Sequence, residues 1–574
     1  MQLFRHTIAL DKRKKDLSVK RPILIFWLTI AVLAIPNIAL SITERMPPAA
    51  TITNVLLPVS VVWLLMTLSR RPGKVTWLLF LPLIVAGFQM VLIYLYGCSI
   101  IAVDMYLNLF SANSGEATEL LGNIFPALIA VVIVYLAPLV LGTISLCKKD
   151  LLPSTFILRQ RRIALIAVAL GVVSIGVSYA TDREYRAKLH LYPINVGYNL
   201  VLAVERAHAT VNYAKTSEEF TFNAKSTHIA DDREIYVLVI GETARVHNFS
   251  LYGYKRKTTP LLDSTSGLVT FTNVLTQSNT THKSVSLLMS AATAEKYDRI
   301  YHEKGIVTAF KEAGFHTVFI SNQCPNRSFI DFFGEAADEW VFIKEKFSKK
   351  ANVTDISMLP FLKDVLDKGR KKELIILHSH GSHFNYCQRY EAAHAVFKPD
   401  DASAVKWSNR ASLINAYDNS IHSTDSFLHG VIMQLRQSGA QAAMLYTSDH
   451  GENIFDDSRR LFLHASPVPS YYELHVPFIV WMSDPYRSTY PSVVATLQNN
   501  RHKNVSNSKS TFHTMLEMAG IDTPYREDTL SVASCKYTPS EWMYLSDHNK
   551  PVPVEKILRS EEDIVKVHNL SHHP

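Results

Sequence analysis

Cysteine is scarce in this chain: there are five in 574 residues, at positions 98, 147, 324, 387 and 535. Cys98 and Cys147 belong to the apolar first third. Cys324, Cys387 and Cys535 remain for the rest, which allows at most one internal disulfide and excludes a disulfide-stapled scaffold. Internal repeats and low-complexity tracts are also missing, which excludes solenoids and arrays. A third absence is local. The loops on one side of the long apolar stretches carry Arg45 as their sole Lys or Arg.

The apolar stretches themselves number five, at about 22–43, 52–69, 76–97, 124–146 and 163–180. Each has roughly the 20 residues a bilayer crossing needs, and they are too many and too long for a cleaved signal peptide. The loops on their other side are rich in cations: Arg5, Lys12, Arg13, Lys14, Lys15, Lys20 and Arg21 before the first, then Arg70, Arg71 and Lys74, then Lys148, Lys149, Arg159, Arg161 and Arg162. Positive charge stays inside. The N-terminus is therefore expected in the cytoplasm, and five crossings put everything after about residue 181 outside. The net charge of +8 is thus a topology signal and not a nucleic-acid one. The expected domains are a five-span membrane bundle (1–181), a bridge of helices lying in the interface (182–231) and an outer domain (232–574). The tail after Pro551 reads as a flexible end.

In the outer part, apolar strands alternate with longer polar or helical stretches. Strands are predicted at Ile235–Ile240, His316–Ile320, Leu374–Leu377, Ala442–Tyr446 and Val476–Met482. The intervals are long enough for crossover helices, which predicts an α/β domain with a mostly parallel sheet and helices on both faces. Ligands in such sheets bind at the carboxyl ends of strands. Two strands end there in carboxylates: Tyr236–Ile240 runs into Gly241-Glu242-Thr243, and Ala443–Tyr446 into Thr447-Ser448-Asp449-His450-Gly451-Glu452. A strand-end Asp-His is more often a solvated turn. A second strand of the same design, with oxygen and imidazole donors together, favours a divalent metal such as zinc.

Other stretches add to this pair. The hydroxyl-rich Gln277–Ser286, ahead of Leu287-Leu288-Met289, places Thr280 and Thr281 at a predicted helix N-terminus, where a hydroxyl meets a positive field. A plain helix cap is the commoner use of such residues. His378, His380 and His383 crowd the end of another apolar run, and His464 and His475 follow the Asp-His turn. The loop 101–122 has no Lys or Arg but carries Asp104, Asn108, Asn113, Glu116 and Glu119, which suits a cationic lipid headgroup.

Taken as a set, Val239-Ile240-Gly241-Glu242-Thr243, Asn248–Tyr254, Thr258-Thr259-Pro260, Ser382–Tyr386 with Arg389-Tyr390, Ala416–Asn419 and Ser448–Glu452 resemble the phosphoethanolamine transferases. These enzymes of the alkaline phosphatase superfamily include lipid A modifiers and the mobile colistin (polymyxin) resistance proteins. The resemblance implies an alkaline-phosphatase-like catalytic domain attached to five transmembrane helices in a bacterial inner membrane, with the catalytic domain periplasmic. It implies one zinc ion held by Glu242, Thr281, Asp449 and His450, with a second ion held at His383 and His464 as an option. Thr281 is the implied nucleophile, preferred to Thr280 because Ser284-Val285 then falls at the family's spacing, with His282 as the other register. His383 and His464 line the implied catalytic centre. His378, Asn108 and Glu116 are implied or expected to contact substrate. The expected donor is phosphatidylethanolamine. The expected acceptor is lipopolysaccharide (lipid A, Kdo or a core sugar), and the expected state is a monomer. Alternatives are transfer to periplasmic glucans, transfer of phosphoglycerol, and hydrolysis with water as acceptor. A membrane-anchored sensor without catalysis fits less well, because Glu242, Thr281, Asp449 and His450 are all present. A formylglycine sulfatase needs Cys-x-Pro-x-Arg, which Cys324-Pro325-Asn326-Arg327 does not match.

Overall fold

The computed structural model describes residues 2–572 except 98, 112–113, 229–231, 349–350 and 402–404, leaving aside the side chains of 2–19, 96, 108–124, 126–127 and 571–572. The chain divides into two compact units. One is built on residues 1–109 and 115–205, the other on 206–574 with 110–114.

In the first unit, four helical segments among the described residues are long and apolar enough to cross a membrane: Lys20–Thr43, Pro48–Met66, Leu128–Cys147 and Ser154–Thr181. The expected third span is a bent pair, Pro72–Leu78 and Phe80–Leu95, which turns by 61° and makes a fifth span if counted as one. Pro82 accounts for the break. It has no N–H to give to residue 78, and its ring crowds that carbonyl. Pro58 lies inside its helix without ending it. The faces turned inward carry small polar groups that bond one another, such as Thr29 to Thr76 at 2.9 Å and Asn37 Nδ2 to the Asn54 carbonyl at 2.7 Å. Arg21 clasps Asp150 through two bonds of 2.6 and 2.7 Å.

The second unit is organised on a seven-stranded sheet. In chain order its strands are β1 (Glu234–Gly241), β2 (Leu268–Phe271), β3 (His316–Ser321), β4 (Glu339–Phe342), β5 (Lys372–His378), β6 (Gln441–Ser448) and β7 (Phe478–Met482). Their spatial order is β2-β7-β6-β1-β5-β3-β4. The run β6-β1-β5-β3-β4 is parallel, and β7 is antiparallel to both of its neighbours. All five predicted strands are present. β2 and β4 are additional four-residue edge strands, only partly buried and too short to stand out in the sequence. Central β1 is buried along its whole length, as a strand covered on both faces must be. Tyr236, Leu238 and Ile240 face one core with Val285, Leu288 and Phe512. Ile235, Val237 and Val239 face the other with Tyr417, Ile421 and Leu428 of the long helix Arg410–Gln437.

One expectation needs correction, and the cysteine bound is met at its lower end. The tail is not a loose end: Pro551–Pro553 pairs with Met543–Leu545, and the helix Glu561–His572 follows. Val554, Leu558 and Val567 form an apolar stripe buried against Tyr471, Leu474 and Trp542, and Arg459 pairs with Asp563 at 2.7 Å. The three cysteines of the outer part form no disulfide: Cys324, Cys387 and Cys535 are all free.

Candidate active site

Strand register decides what meets at the carboxyl edge of the sheet. Ile240 stands beside both His378 and Thr447, Gly241 beside Ser448, and Ser321 beside His378. The residues that leave these strands therefore emerge together: Glu242 from β1, Asp449 and His450 from β6, His380 from β5 and Gln323 from β3. The turn after β1 is forced. Thr243 takes φ +62°, a left-handed conformation that costs a β-branched residue of order 1–3 kcal/mol. Its surroundings hold it there. Its N–H donates to Asp449 Oδ1 at 3.1 Å, its hydroxyl to Glu242 Oε1 at 2.7 Å, and its carbonyl accepts from Tyr417 at 2.7 Å. Gly381 lies so close to Glu242 that a Cβ there would collide with the Glu242 backbone carbonyl.

The helix Thr281–Leu288 delivers the hydroxyl. Thr281 Oγ1 donates to Glu242 Oε1 at 3.2 Å and lies 3.2 Å from His450 Nε2. Thr280 occupies the cap position, and its hydroxyl meets Ser278 instead, at 3.1 Å. Of the two threonines in the hydroxyl-rich stretch, Thr281 is the one whose oxygen reaches the strand ends.

The donor set has the character of a cation site. Asp449 is fully buried; its Oδ1 accepts from the N–H groups of Thr243 and His450, whereas its Oδ2 meets no hydrogen-bond donor. A carboxylate oxygen left so costs several kcal/mol unless a cation faces it, roughly 1–3 kcal/mol or more for the lost bond alone. His450 Nδ1 donates to the Gly451 carbonyl at 2.9 Å, which fixes the tautomer and leaves the Nε2 lone pair 3.2 Å from that same Asp449 oxygen. Glu242, His450 and His464 present ligand atoms all within 4.8 Å of one another. The residues fit a divalent ion with oxygen and imidazole ligands. His464, expected to line the catalytic centre, brings a ligand atom to the same place as Glu242 and His450.

Electrostatics agree with this. Burial alone would raise the Glu242 carboxyl, but the fields of His450, His383 and His464 hold it down to about 2. Asp449 goes the other way, raised by burial and then by the charge of Glu242. His464 is lowered to about 3 by burial and by His450. The site thus gathers more negative charge than it can hold bare, the condition a bound cation relieves.

The histidines divide by role. His464 stacks on His450 with ring centres 4.1 Å apart, and its Nδ1 donates to Glu452 Oε1 at 3.3 Å. His383 lies 5.7 Å beyond His464, with its Nδ1 bonded to the Phe384 carbonyl at 2.6 Å. His378 is buried at the end of β5, with Nδ1 3.1 Å from the Ser321 hydroxyl, and burial lowers it to about 4. His475 is elsewhere, bonded to Tyr471 and to the Thr272 carbonyl. Asn108 and Glu116 lie on helices whose side chains in this stretch are outside what the structure describes. Two participants had not been singled out. Gln323 donates to Glu242 Oε2 at 3.2 Å from the end of β3, and Glu452 orients His464. Glu452 sat in plain view in the Asp-His-Gly-Glu run; Gln323 carries no sequence signal.

The sulfatase family model matches residues 234–521, half of the chain. Kdo(2)-lipid A phosphoethanolamine 7''-transferase of Escherichia coli (strain K12) is 31% identical over 279 residues, 47% of this chain and 47% of that protein. The chain thus spans about half the length of the curated relatives it matches. Among solved structures, the integral membrane lipooligosaccharide phosphoethanolamine transferase A of Neisseria meningitidis shares the fold over 88% of this chain and 98% of its own, with a TM-score of 0.66 at 19% identity. The C-terminal periplasmic domain of EptC from Escherichia coli, in complex with Zn, covers 60% of this chain and 98% of its own with a TM-score of 0.54 at 23% identity. The chain belongs to the sulfatase family of the alkaline phosphatase superfamily, and several of the relatives it matches are phosphoethanolamine transferases.

Proposed function

We propose that this protein is a membrane-bound phosphoethanolamine transferase that carries the headgroup of phosphatidylethanolamine on Thr281 and passes it to lipopolysaccharide. The observation that carries the reading is the Thr281 hydroxyl, 3.2 Å from both Glu242 and His450 at the mouth of a buried cation site. Glu242, Thr281, Asp449 and His450 would hold zinc, which when bound lowers the pKa of a ligating hydroxyl and screens charge on phosphoryl oxygens. The matched relatives, one an integral membrane protein and one a C-terminal periplasmic domain, support the membrane-bound arrangement with the catalytic domain outside, and the basic loops support a cytoplasmic N-terminus.

The chain's own residues supply the rest. Glu242 Oε1 already accepts the Thr281 proton in a hydrogen bond and is the group placed to take it. Thr281 Oγ1 then attacks the donor phosphorus; the new P–O bond forms as the bond to the diacylglycerol oxygen breaks. The leaving oxygen needs a proton. His383 and His464 both have Nδ1 engaged in hydrogen bonds, so Nε2 is the atom that would carry and deliver it. In the second half an acceptor hydroxyl, or a phosphate that carries a proton, attacks the same phosphorus; its proton goes to the histidine, the bond to Thr281 Oγ1 breaks, and Glu242 gives its proton back to that oxygen. Asn108, Glu116 and His378 are assigned to the donor: a carboxylate at Glu116 suits an ammonium headgroup.

Incubation of purified protein with phosphatidylethanolamine alone tests the reading. A phosphoethanolamine mass is expected on the peptide containing Thr281, absent in Thr281→Ala and retained in part in Thr281→Ser. Full transfer activity in a Thr280→Ala, Thr281→Ala double variant would sink it. Mass spectrometry of envelope lipids and glucans with and without the protein identifies the acceptor; a glucan that gains the mass would favour the alternative acceptor.

A further inference from the structure

His464 is presented by a turn that its own neighbours do not favour. Leu463 and Ala465, on either side of it, take φ +66° and +62°, left-handed conformations that residues with a Cβ rarely hold. Such a backbone persists only where its surroundings fix it. One side of the turn is fixed by Asn453, whose Nδ2 donates to the Leu463 carbonyl at 2.9 Å. The other side is fixed by Asn279. Its carbonyl accepts from the Ala465 N–H at 3.2 Å, and its Nδ2 donates to the Ser466 carbonyl at 2.8 Å.

Asn279 is buried two residues ahead of Thr281, and its amide is used completely. Nδ2 also donates to Glu473 Oε1 at 2.8 Å, and Oδ1 accepts from the Tyr544 hydroxyl at 2.7 Å. Two amide hydrogens and the amide oxygen thus meet three different partners, which leaves the side chain one orientation. Glu473 extends the tie, because its carbonyl accepts from the Gly451 N–H at 2.7 Å, next to His450. The segment that carries Thr281 is therefore joined through one side chain to the turn that carries His464. Thr281 Oγ1 is 3.2 Å from His450 Nε2, and the His464 ring lies 4.1 Å from that of His450. A shift of the turn would move His464 relative to the reacting hydroxyl.

We propose that Asn279 is a positioning residue: it holds His464 in place, relative to Thr281, as the group that protonates the leaving oxygen of the donor. This rests on the transfer reaction proposed above and singles out His464 of the two histidines named there. Asn279 touches no reacting atom and acts through His464.

Full-length protein with its zinc, in dodecyl maltoside micelles, would be given two donors. Phosphatidylethanolamine loses a diacylglycerol oxygen that needs a proton, whereas 4-nitrophenyl phosphoethanolamine loses a stable phenolate that needs none. Release of diacylglycerol and of nitrophenolate reads the same P–O cleavage in each. In Asn279→Ala, diacylglycerol release is expected to slow by about tenfold or more with KM within about twofold, while nitrophenolate release changes by less than about threefold. His464→Ala should show the same dependence on the donor, with a larger loss. Asn279→Ser, which keeps one hydroxyl in place of the amide, should lie between Asn279→Ala and wild type. Equal losses with the two donors overturn the inference, because Asn279 would then serve the nucleophile or the fold. Wild-type rates with both donors overturn it too, as does a His464→Ala variant without donor dependence. If Asn279→Ala loses its zinc or fails to fold, the ratio of the two losses in Asn279→Ser decides. A wild type that never carries a phosphoethanolamine mass on Thr281 removes the transfer reading, and the two release rates still decide the part of Asn279.

Discussion

Both edges of the seven-stranded sheet bury carboxylates, and they treat them in opposite ways. At the amino edge one oxygen of each acid also lacks a hydrogen-bond donor, Glu234 Oε1 and Glu373 Oε1, but each acid has a cation of its own beside it. Glu234 accepts from Tyr236 at 3.1 Å with His228 at 3.1 Å and Lys372 at 3.8 Å, and Glu373 accepts from Arg233 at 3.0 Å. At the carboxyl edge, Glu242 and Asp449 converge on one another, on His450 and on Thr281, and Asp449 Oδ2 meets no donor. A backbone strained at Thr243 keeps them there. Burial is the same at both edges, so burial does not mark the functional one. What marks it is charge brought together without its own compensation, at the end of the sheet where strand ends and helix N-termini point.

The difference should be widest when a ligand of the carboxyl edge is removed. Asp449→Ala and His450→Ala are expected to lose bound zinc, measured by elemental analysis of the purified protein, and to lose transfer by well over about a hundredfold, since even outer-shell partners of a metal carry 10–100-fold effects. Glu452→Gln should fall in that lower range of about 10–100-fold, because the amide can still meet His464 but no longer as an anion. Zinc and activity at wild-type levels in all three would mean that the cation site is misplaced.

A subtler break uses stability in place of turnover. In protein stripped by a chelator, Asp449→Asn relieves the buried carboxyl that faces Glu242 and should melt higher than the stripped wild type, by less per kcal/mol than the roughly 2–4 °C of a 200-residue domain because the outer unit spans 206–574. With zinc restored the order should reverse. A variant that melts lower under both conditions would show Asp449 to be a structural acid like those at the amino edge.

Much of this contrast was legible in the residues. The central strands are apolar runs with no alternation, so their buried, parallel setting could be read directly, and a carboxylate ending such a run is conspicuous. Composition narrows Thr281 to a neighbourhood without separating it from Thr280; at the helix start the Thr280 hydroxyl meets Ser278 and the Thr281 hydroxyl meets Glu242. Gln323 was invisible because it reaches Glu242 through the pairing of β3 with β5, a contact 81 residues apart in sequence with no pattern to announce it. The edge strands β2 and β4 were missed for the opposite reason: four residues are too few to carry a periodicity. The break at Pro82 lay in sight, yet hydropathy alone smooths over it.

The smallest effect is expected at the amino edge, in Glu373→Gln. Burial raises the Glu373 carboxyl above its ordinary range, and the bond from Arg233 only partly offsets this. The sign follows from the folded value being the higher one. Below the unfolded carboxyl range both states are protonated and the group contributes its full stability. As pH rises through that range toward the folded value, the unfolded state releases its proton first and this stability is lost. Gln cannot titrate, so the variant should lose stability less steeply than wild type across that window. At neutral pH its own cost should be about 1 kcal/mol, the net worth of one hydrogen bond, because Arg233 keeps its bonds to the Leu366 and Arg370 carbonyls and some contact with water. Transfer should stay within about twofold, since no strand end that holds the site is touched. Thermal unfolding of both proteins from pH 4 to 7, with activity measured alongside, checks all three. A loss of activity comparable to that of Glu452→Gln would erase the distinction between the two edges.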